Sequence, residues 1–270
     1  MFTQDFILNA LIVSVVMGLM LAYLGVHVVG RGIVFVDLAL GQISMLGVAI
    51  GNYLEKDQTL ISIIFTMVGA FLLSFIKIKD KRLKQEAIIG IVYAFASAAT
   101  VLFISKSPHG ESDISEVLFG SVFTVTSEQI MVMSGVFGVI GLFHILFRKK
   151  FFDLTHKFEN HEIEEVGVFN LWNFLFYLSI GLAIVLAVRS AGVIPVFSYL
   201  IIPPVTAILL SRKKTSMIII SLAVAVLGSF FGLYFSTHFD FPAGSSVVAI
   251  LSLIFGLAGF VRWMKGLISG

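Results

Sequence analysis

A single carboxylate stands well inside an otherwise apolar run. Asp37 belongs to the window 33–54, and on a helix it shares a face with Gly41, Ser44 and Met45, spaced four, seven and eight residues away. Gln42 lies next to that face. An ionisable group within a membrane span costs several kcal/mol near the bilayer centre and is retained for a reason. Carboxylate, amide and hydroxyl oxygens suit hard or borderline divalent cations, so Asp37, Gln42 and Ser44 are candidate metal ligands. The same carboxylate could instead bond a neighbouring helix or cap a broken one. The residues alone leave both readings open.

The six histidines carry weaker signals. His27, near the end of the first apolar run, reads as a packing or hydrogen-bonding group before a ligand. His144 and His156 flank a basic stretch and are expected to face headgroups or the cytosol. His161 sits among Glu159, Glu162, Glu164 and Glu165, where a solvated charge run outweighs a metal sensor. His109 and His238 fall in predicted external loops near Glu111, Asp113 and Asp240. They offer either a docking surface for a delivery protein or solvated side chains.

Other chemistries find no residues to carry them. No serine–histidine–aspartate set or HExxH pair occurs, so no catalytic residue is assigned. No Gly-Lys-Ser/Thr phosphate loop is present either, so any ATP must be bound by another polypeptide. The chain has no cysteine, which removes disulfides and thiolate ligation. No permanently bound cofactor is expected.

These residues must be positioned by membrane-spanning helices. Hydrophobic residues make up 58% of the 270 positions and charged ones 13%, where a soluble domain carries about one quarter. Apolar stretches of roughly 20 residues, the length that crosses a hydrocarbon core, recur throughout. They predict about nine crossings, near 6–29, 33–54, 60–76, 87–104, 130–147, 171–188, 193–210, 217–235 and 247–263. The expectation is an all-α polytopic membrane protein of about 8–9 transmembrane helices, forming one transmembrane domain over 1–270. The first window reads as a retained span in preference to a cleaved signal peptide.

Basic loops orient the chain. KIKDKRLKQ (77–85), FRKK (147–150) and SRKK (211–214) are basic, Arg262 and Lys265 follow the last window, and SPHGESDISE (107–116) is acidic. By the positive-inside rule the N-terminus is external and the C-terminus cytoplasmic. The longest polar stretch on the cytoplasmic side covers 148–169. It is either a solvated loop or a short surface helix docking a motor subunit, and the pair Phe151–Phe152 beside an acid-rich turn favours docking. Gly41 and Gly47, and Gly228 and Gly232, allow close helix approach. Pro203–Pro204 is expected to interrupt the seventh span, as in transporters with broken helices.

Six segments, in order, resemble one family: the ABC-3 permeases of binding-protein-dependent zinc, manganese and iron importers. They are GVHVVGRGIVFVDLALGQISMLGVAIG (25–51), RLKQEAIIGIVYAFASAATVLFIS (82–105), EVLFGSVFTVTSEQI (116–130), FFDLTHKF (151–158), AGVIPVFSYLIIPPVTAILLS (191–211) and GLYFSTHFDFPAGSSVVAILSLIF (232–255). The likeness runs over most of the chain, about 18–260.

The resemblance implies a type II ABC importer fold in a bacterial cytoplasmic membrane. It also implies a homodimeric permease with two ATPase subunits, fed by an extracytoplasmic metal-binding protein. Residues 148–169 become the cytoplasmic coupling segment, with Phe151, Phe152, Asp153 and Gly167 at the ATPase contact. Many members carry a histidine four residues after the aspartate; here Gly41 stands there, followed by Gln42. Loss of an imidazole shifts the donor set toward harder ions such as manganese. It equally suits a site completed by the partner subunit, or a span that only gates. Rival readings are a permease for a metal chelate or vitamin, or a non-transporting membrane scaffold coupled to an ATPase.

Overall fold

Each of the nine apolar windows is a helix in the computed structural model, which describes residues 5–75, 85–106, 122–159 and 170–269. The helices are α1 (Asp5–Arg31), α2 (Val36–Tyr53), α3 (Gln58–Ser74), α4 (Gln85–Ile104), α5 (Ser127–Leu146), α6 (Arg148–Glu159), α7 (Leu171–Ala191), α8 (Val193–Leu210), α9 (Lys214–Phe239) and α10 (Ala243–Ser269). A single 3-10 turn, Val122–Thr124, precedes α5, and there is no strand among the described residues. Seven helices (α1, α4, α5 and α7–α10) are long and apolar enough to cross a membrane. α3 is apolar but has 17 residues, and α2 has its hydropathy lowered by Asp37, Gln42 and Asn52.

The chain divides into two compact units. The first comprises residues 1–29, 119–137 and 190–270. Within it α8, α9 and α10 pack against one another. Small residues set their separation: a Cβ on Gly232 would lie 2.5 Å from Val247 Cα, and Gly228 packs on the Leu251 side chain. Against α1, Gly18 meets the ring of Tyr199 and Gly25 meets the carbonyl of Leu200.

Here the structure corrects one expectation. Pro203 and Pro204 do not break α8, which runs unbroken from Val193 to Leu210. Each proline removes one backbone donor, leaving the carbonyls of Tyr199 and Leu200 without their helical partner. Gly25 of α1 packs directly on the freed Leu200 carbonyl and on Pro204, so that stretch of α8 is covered by protein.

Several buried hydroxyls in this unit bond across helices. Tyr199 Oη and Ser229 Oγ share a hydrogen bond, and Ser229 Oγ lies 2.8 Å from the Ala225 carbonyl and 3.2 Å from that of Ser14. Ser221 Oγ donates to the Ala22 carbonyl at 3.1 Å. Such contacts tie α1 to α8 and α9.

The second unit comprises residues 30–118 and 138–189. α2 is its centre, packed on α3 and α4. A Cβ on Gly47 would stand 2.7 Å from Ser62 Cα, and one on Gly51 would stand 2.9 Å from Gln58 Cα. α6 is the one strongly amphipathic helix here. It buries Phe151, Leu154 and Thr155, spaced three and one residues apart, and exposes Asp153, His156, Lys157 and Glu159.

Candidate functional site

The turn that delivers Asp37 is short and firmly held. α1 ends at Arg31, and Gly32 follows in the left-handed region at φ +66, where a Cβ would be strained. Ile33 then accepts a bond from the Val36 amide at 3.1 Å, and Phe35 from Ala39 at 3.1 Å, which starts α2. The Val34 amide donates to Glu86 Oε1 at the head of α4, at 3.2 Å. Glu86 therefore holds the turn.

Asp37 falls in the first turn of α2 and is 2% exposed. Among the described residues neither carboxylate oxygen has a hydrogen-bond partner of good geometry; its polar contacts are the backbone amides of Leu38 and Asp37. A carboxylate at a helix N-terminus gains from the helix dipole, but burial without a partner costs more than that. The group is thus poised to accept a cation.

The other two candidate ligands lie further along α2. Ser44 is fully buried, and its Oγ shares a 2.8 Å hydrogen bond with Ser62 Oγ on α3. Seven residues of helix put Ser44 about 10 Å along the axis from Asp37, and Gln42 stands about 7 Å along. In this structure the Ser44 hydroxyl serves the contact between α2 and α3. Gln42 is 4% exposed and lies further along the same helix. Among the described residues no group of three or more His, Cys, Asp or Glu side chains could hold a metal ion.

Histidines fall differently from expectation in one case. His27 is buried, with Tyr23 edge-on at 5.4 Å, a packing role. His156 is exposed beside Glu159 at 3.7 Å, as a solvent-facing group should be. His144 does not face headgroups or cytosol: it is fully buried and stacks on Phe151 with ring centroids 4.1 Å apart. His238 is exposed, its ring parallel to that of Tyr234 at 5.9 Å, and Asp240 caps α9 in the left-handed conformation. The clusters at 107–116 and 160–167, with His109, His161 and Gly167, lie outside the described residues.

On α6 the two aromatic residues separate. Phe151 is 0% exposed, packed among Phe143, His144, Trp172 and Phe176, so it anchors the helix inward and offers nothing to an outside partner. Phe152 is half-buried and Asp153 is exposed. The helix's outward face is the charged one: Arg148, Lys149, Lys150, Asp153, His156 and Lys157.

A second anchor went unseen in the sequence. Arg31, 6% exposed, donates from Nε to Thr155 Oγ1 at 3.1 Å and from Nη1 to Asn173 Oδ1 at 3.2 Å. Its Cζ lies 3.5 Å from the centre of the Phe176 ring. The available signal was a lone arginine closing a 27-residue apolar helix, which otherwise reads as an interfacial charge.

Comparison with known proteins extends over nearly the whole chain. The model of the ABC 3 transport family matches residues 3–262. The manganese transport system membrane protein MntB of Synechocystis sp. is 30% identical over 255 residues, covering 94% of this chain and 82% of the relative. MntC of Listeria monocytogenes, also a manganese transport system membrane protein, is 29% identical over 266 residues, covering 98% and 93%. Among solved structures, PsaBC from Streptococcus pneumoniae in complex with Fab matches with a TM-score of 0.79 at 26% identity, covering 95% of this chain and 91% of that one.

Proposed function

The chain belongs to the ABC 3 transport family, and from that premise we propose that it is the membrane-spanning permease subunit of an ATP-driven importer for a divalent metal ion, manganese first among them. The carrying observation is Asp37: a buried carboxylate that no other side chain pairs with among the described residues, at the head of a helix, in a chain alike along its length to manganese permeases. Residues 1–270 act as one permease domain in a bacterial cytoplasmic membrane, as a homodimer. ATP is hydrolysed on a separate ABC ATPase chain, and the ion arrives on an extracytoplasmic metal-binding protein.

In the mechanism Asp37 offsets the dehydration of the ion at a constriction on the path. Coordination there is weak and transient, because a tight cage would stop conduction. Gln42, one to two turns further, supplies a neutral oxygen once the ion has left the carboxylate. The donor set is oxygen throughout, without the imidazole that favours zinc. α6 receives the ATPase on its charged face, with Asp153 and Phe152 at the contact and Phe151 serving as the internal anchor. Gly167 is assigned to the same contact by its place in the coupling segment.

The test is uptake into proteoliposomes holding the permease with its ATPase and supplied with the loaded binding protein. ATP-dependent accumulation of manganese, with zinc and iron as competitors, is the expected result. ATP hydrolysis stimulated by the binding protein without accumulation of any of the three ions would leave the scaffold reading standing instead.

A further inference from the structure

Arg31 is an expensive residue to bury. Among the described residues no carboxylate pairs with it, and its Nη2 has no hydrogen-bond partner. An apolar side chain of similar volume would avoid the desolvation of a guanidinium altogether. What the arginine does is hold three elements at one point. Nε reaches Thr155 on α6, Nη1 reaches Asn173 on α7, and the planar group lies against Phe176 at 3.5 Å and near Phe158 at 5.5 Å. Thr155 is itself oriented for this: its hydroxyl donates to the Phe151 carbonyl at 2.9 Å, which leaves a lone pair for Arg31. The contact is also rigid. A Cβ on neighbouring Gly30 would meet Thr155 Cγ2 at 2.8 Å, so α6 lies directly on the end of α1.

Five residues separate Arg31 from Asp37, and the turn they form is bonded at two points. The turn is closed by Val36 on Ile33 at 3.1 Å and pinned to α4 by Val34 on Glu86 at 3.2 Å. A displacement of α6 is thus passed to the turn through Arg31, and Glu86 acts as the fixed point about which the head of α2 reorients. We propose that Arg31 is the positioning residue that couples movement of α6 to the presentation of Asp37. The inference rests on the permease reading above and adds the internal linkage to it. A fork of directional N–H donors over an aromatic face transmits both push and pull. A lysine ammonium cannot reproduce that geometry.

The experiment measures metal taken up per ATP hydrolysed, in proteoliposomes holding the complete transporter. The proteins are wild type, Arg31→Lys, Thr155→Val, Thr155→Ser and the Arg31→Lys/Thr155→Val double variant. Uptake per ATP should fall at least tenfold in Arg31→Lys and Thr155→Val while hydrolysis continues. Thr155→Ser, which keeps the hydroxyl, should stay near wild type, and the double variant should lose no more than Arg31→Lys alone. If Arg31→Lys does not fold, the Thr155→Val and Thr155→Ser pair decides. Wild-type uptake per ATP in Thr155→Val, or losses that add in the double variant, would overturn the linkage while leaving the permease reading intact. A wild type that moves no metal would overturn that reading and the linkage with it.

Discussion

Ser62 of α3 lies against two residues one turn apart on α2: Ser44, whose hydroxyl it bonds at 2.8 Å, and Gly47, whose missing side chain admits the Ser62 backbone. This crossing holds the helix that carries Asp37. Backbone, unlike a flexible side-chain tip, cannot yield to an added methyl group. Gly47→Val should therefore cost about 1–3 kcal/mol through overpacking, whereas Ser62→Ala should cost nearer 0.6 kcal/mol, the average of a single interhelical hydrogen bond in a membrane. Thermal unfolding of the detergent-solubilised protein ranks the two; equal melting temperatures would refute the close approach.

Asp37→Asn should separate stability from transport. The amide removes the cost of ionising a buried carboxyl, so the variant should melt at or above the wild-type temperature. Metal uptake should fall at least tenfold in the same preparation, since an amide offsets little of a divalent ion's dehydration. A variant that melts lower, or transports normally, would take Asp37 out of the path.

Gly32 isolates backbone strain from packing. It has φ +66 with nothing within 4 Å of where a Cβ would stand, so a substitution there meets open space and only the left-handed conformation opposes it. Gly32→Val should destabilise by roughly 1–2 kcal/mol, and Gly32→Asn by less, because asparagine visits that region more readily. Melting curves of the pair check the order.

Asp57 gives a pH dependence of known sign. It caps α3 by accepting from the Thr59 amide at 2.8 Å and the Leu60 amide at 3.2 Å. The Leu60 amide, then that of Thr59, holds its carboxyl below the usual carboxylate range. A carboxyl depressed on folding contributes stability above its unfolded value, near 3.9 for aspartate, and loses it as the pH falls through the folded value. Asp57→Ala should melt below wild type at neutral pH, with the gap closing below about pH 4. Asp57→Asn, still a good cap, should show a smaller gap that varies less with pH.

The helices were legible because what makes them is local. An apolar run of span length states its own helix whatever it packs against, so windows such as 171–188 and 193–210 locate α7 and α8 to within a few residues at each end. α2 was legible as well, although its polar residues lower its hydropathy, because the apolar run around them keeps span length. The candidate carboxylate was equally plain, since a charge in an apolar run contrasts with its immediate neighbours.

What no local pattern carries is direction and partnership. Phe151 and Phe152 are adjacent and identical, yet one is sealed among four rings and the other half exposed, because α6 turns each residue by about 100° and only the packing on α5 and α7 says which side is inside. Ser44 reads as an oxygen donor, but that its hydroxyl meets Ser62, 18 residues away, no local pattern says. Pro203 and Pro204 read as a break until Gly25 closes over the freed carbonyl from another helix. Arg31 reads as an interfacial charge until Thr155 and Asn173, more than 120 residues on, converge on its guanidinium. Sequence alone determined the membrane-crossing helices and the buried charge, since both follow from the free energy of a few neighbouring side chains in lipid. Tertiary structure decided which polar groups meet, since hydrogen bonds and ring contacts act over about 3–6 Å and the chain brings such atoms together only when it has folded.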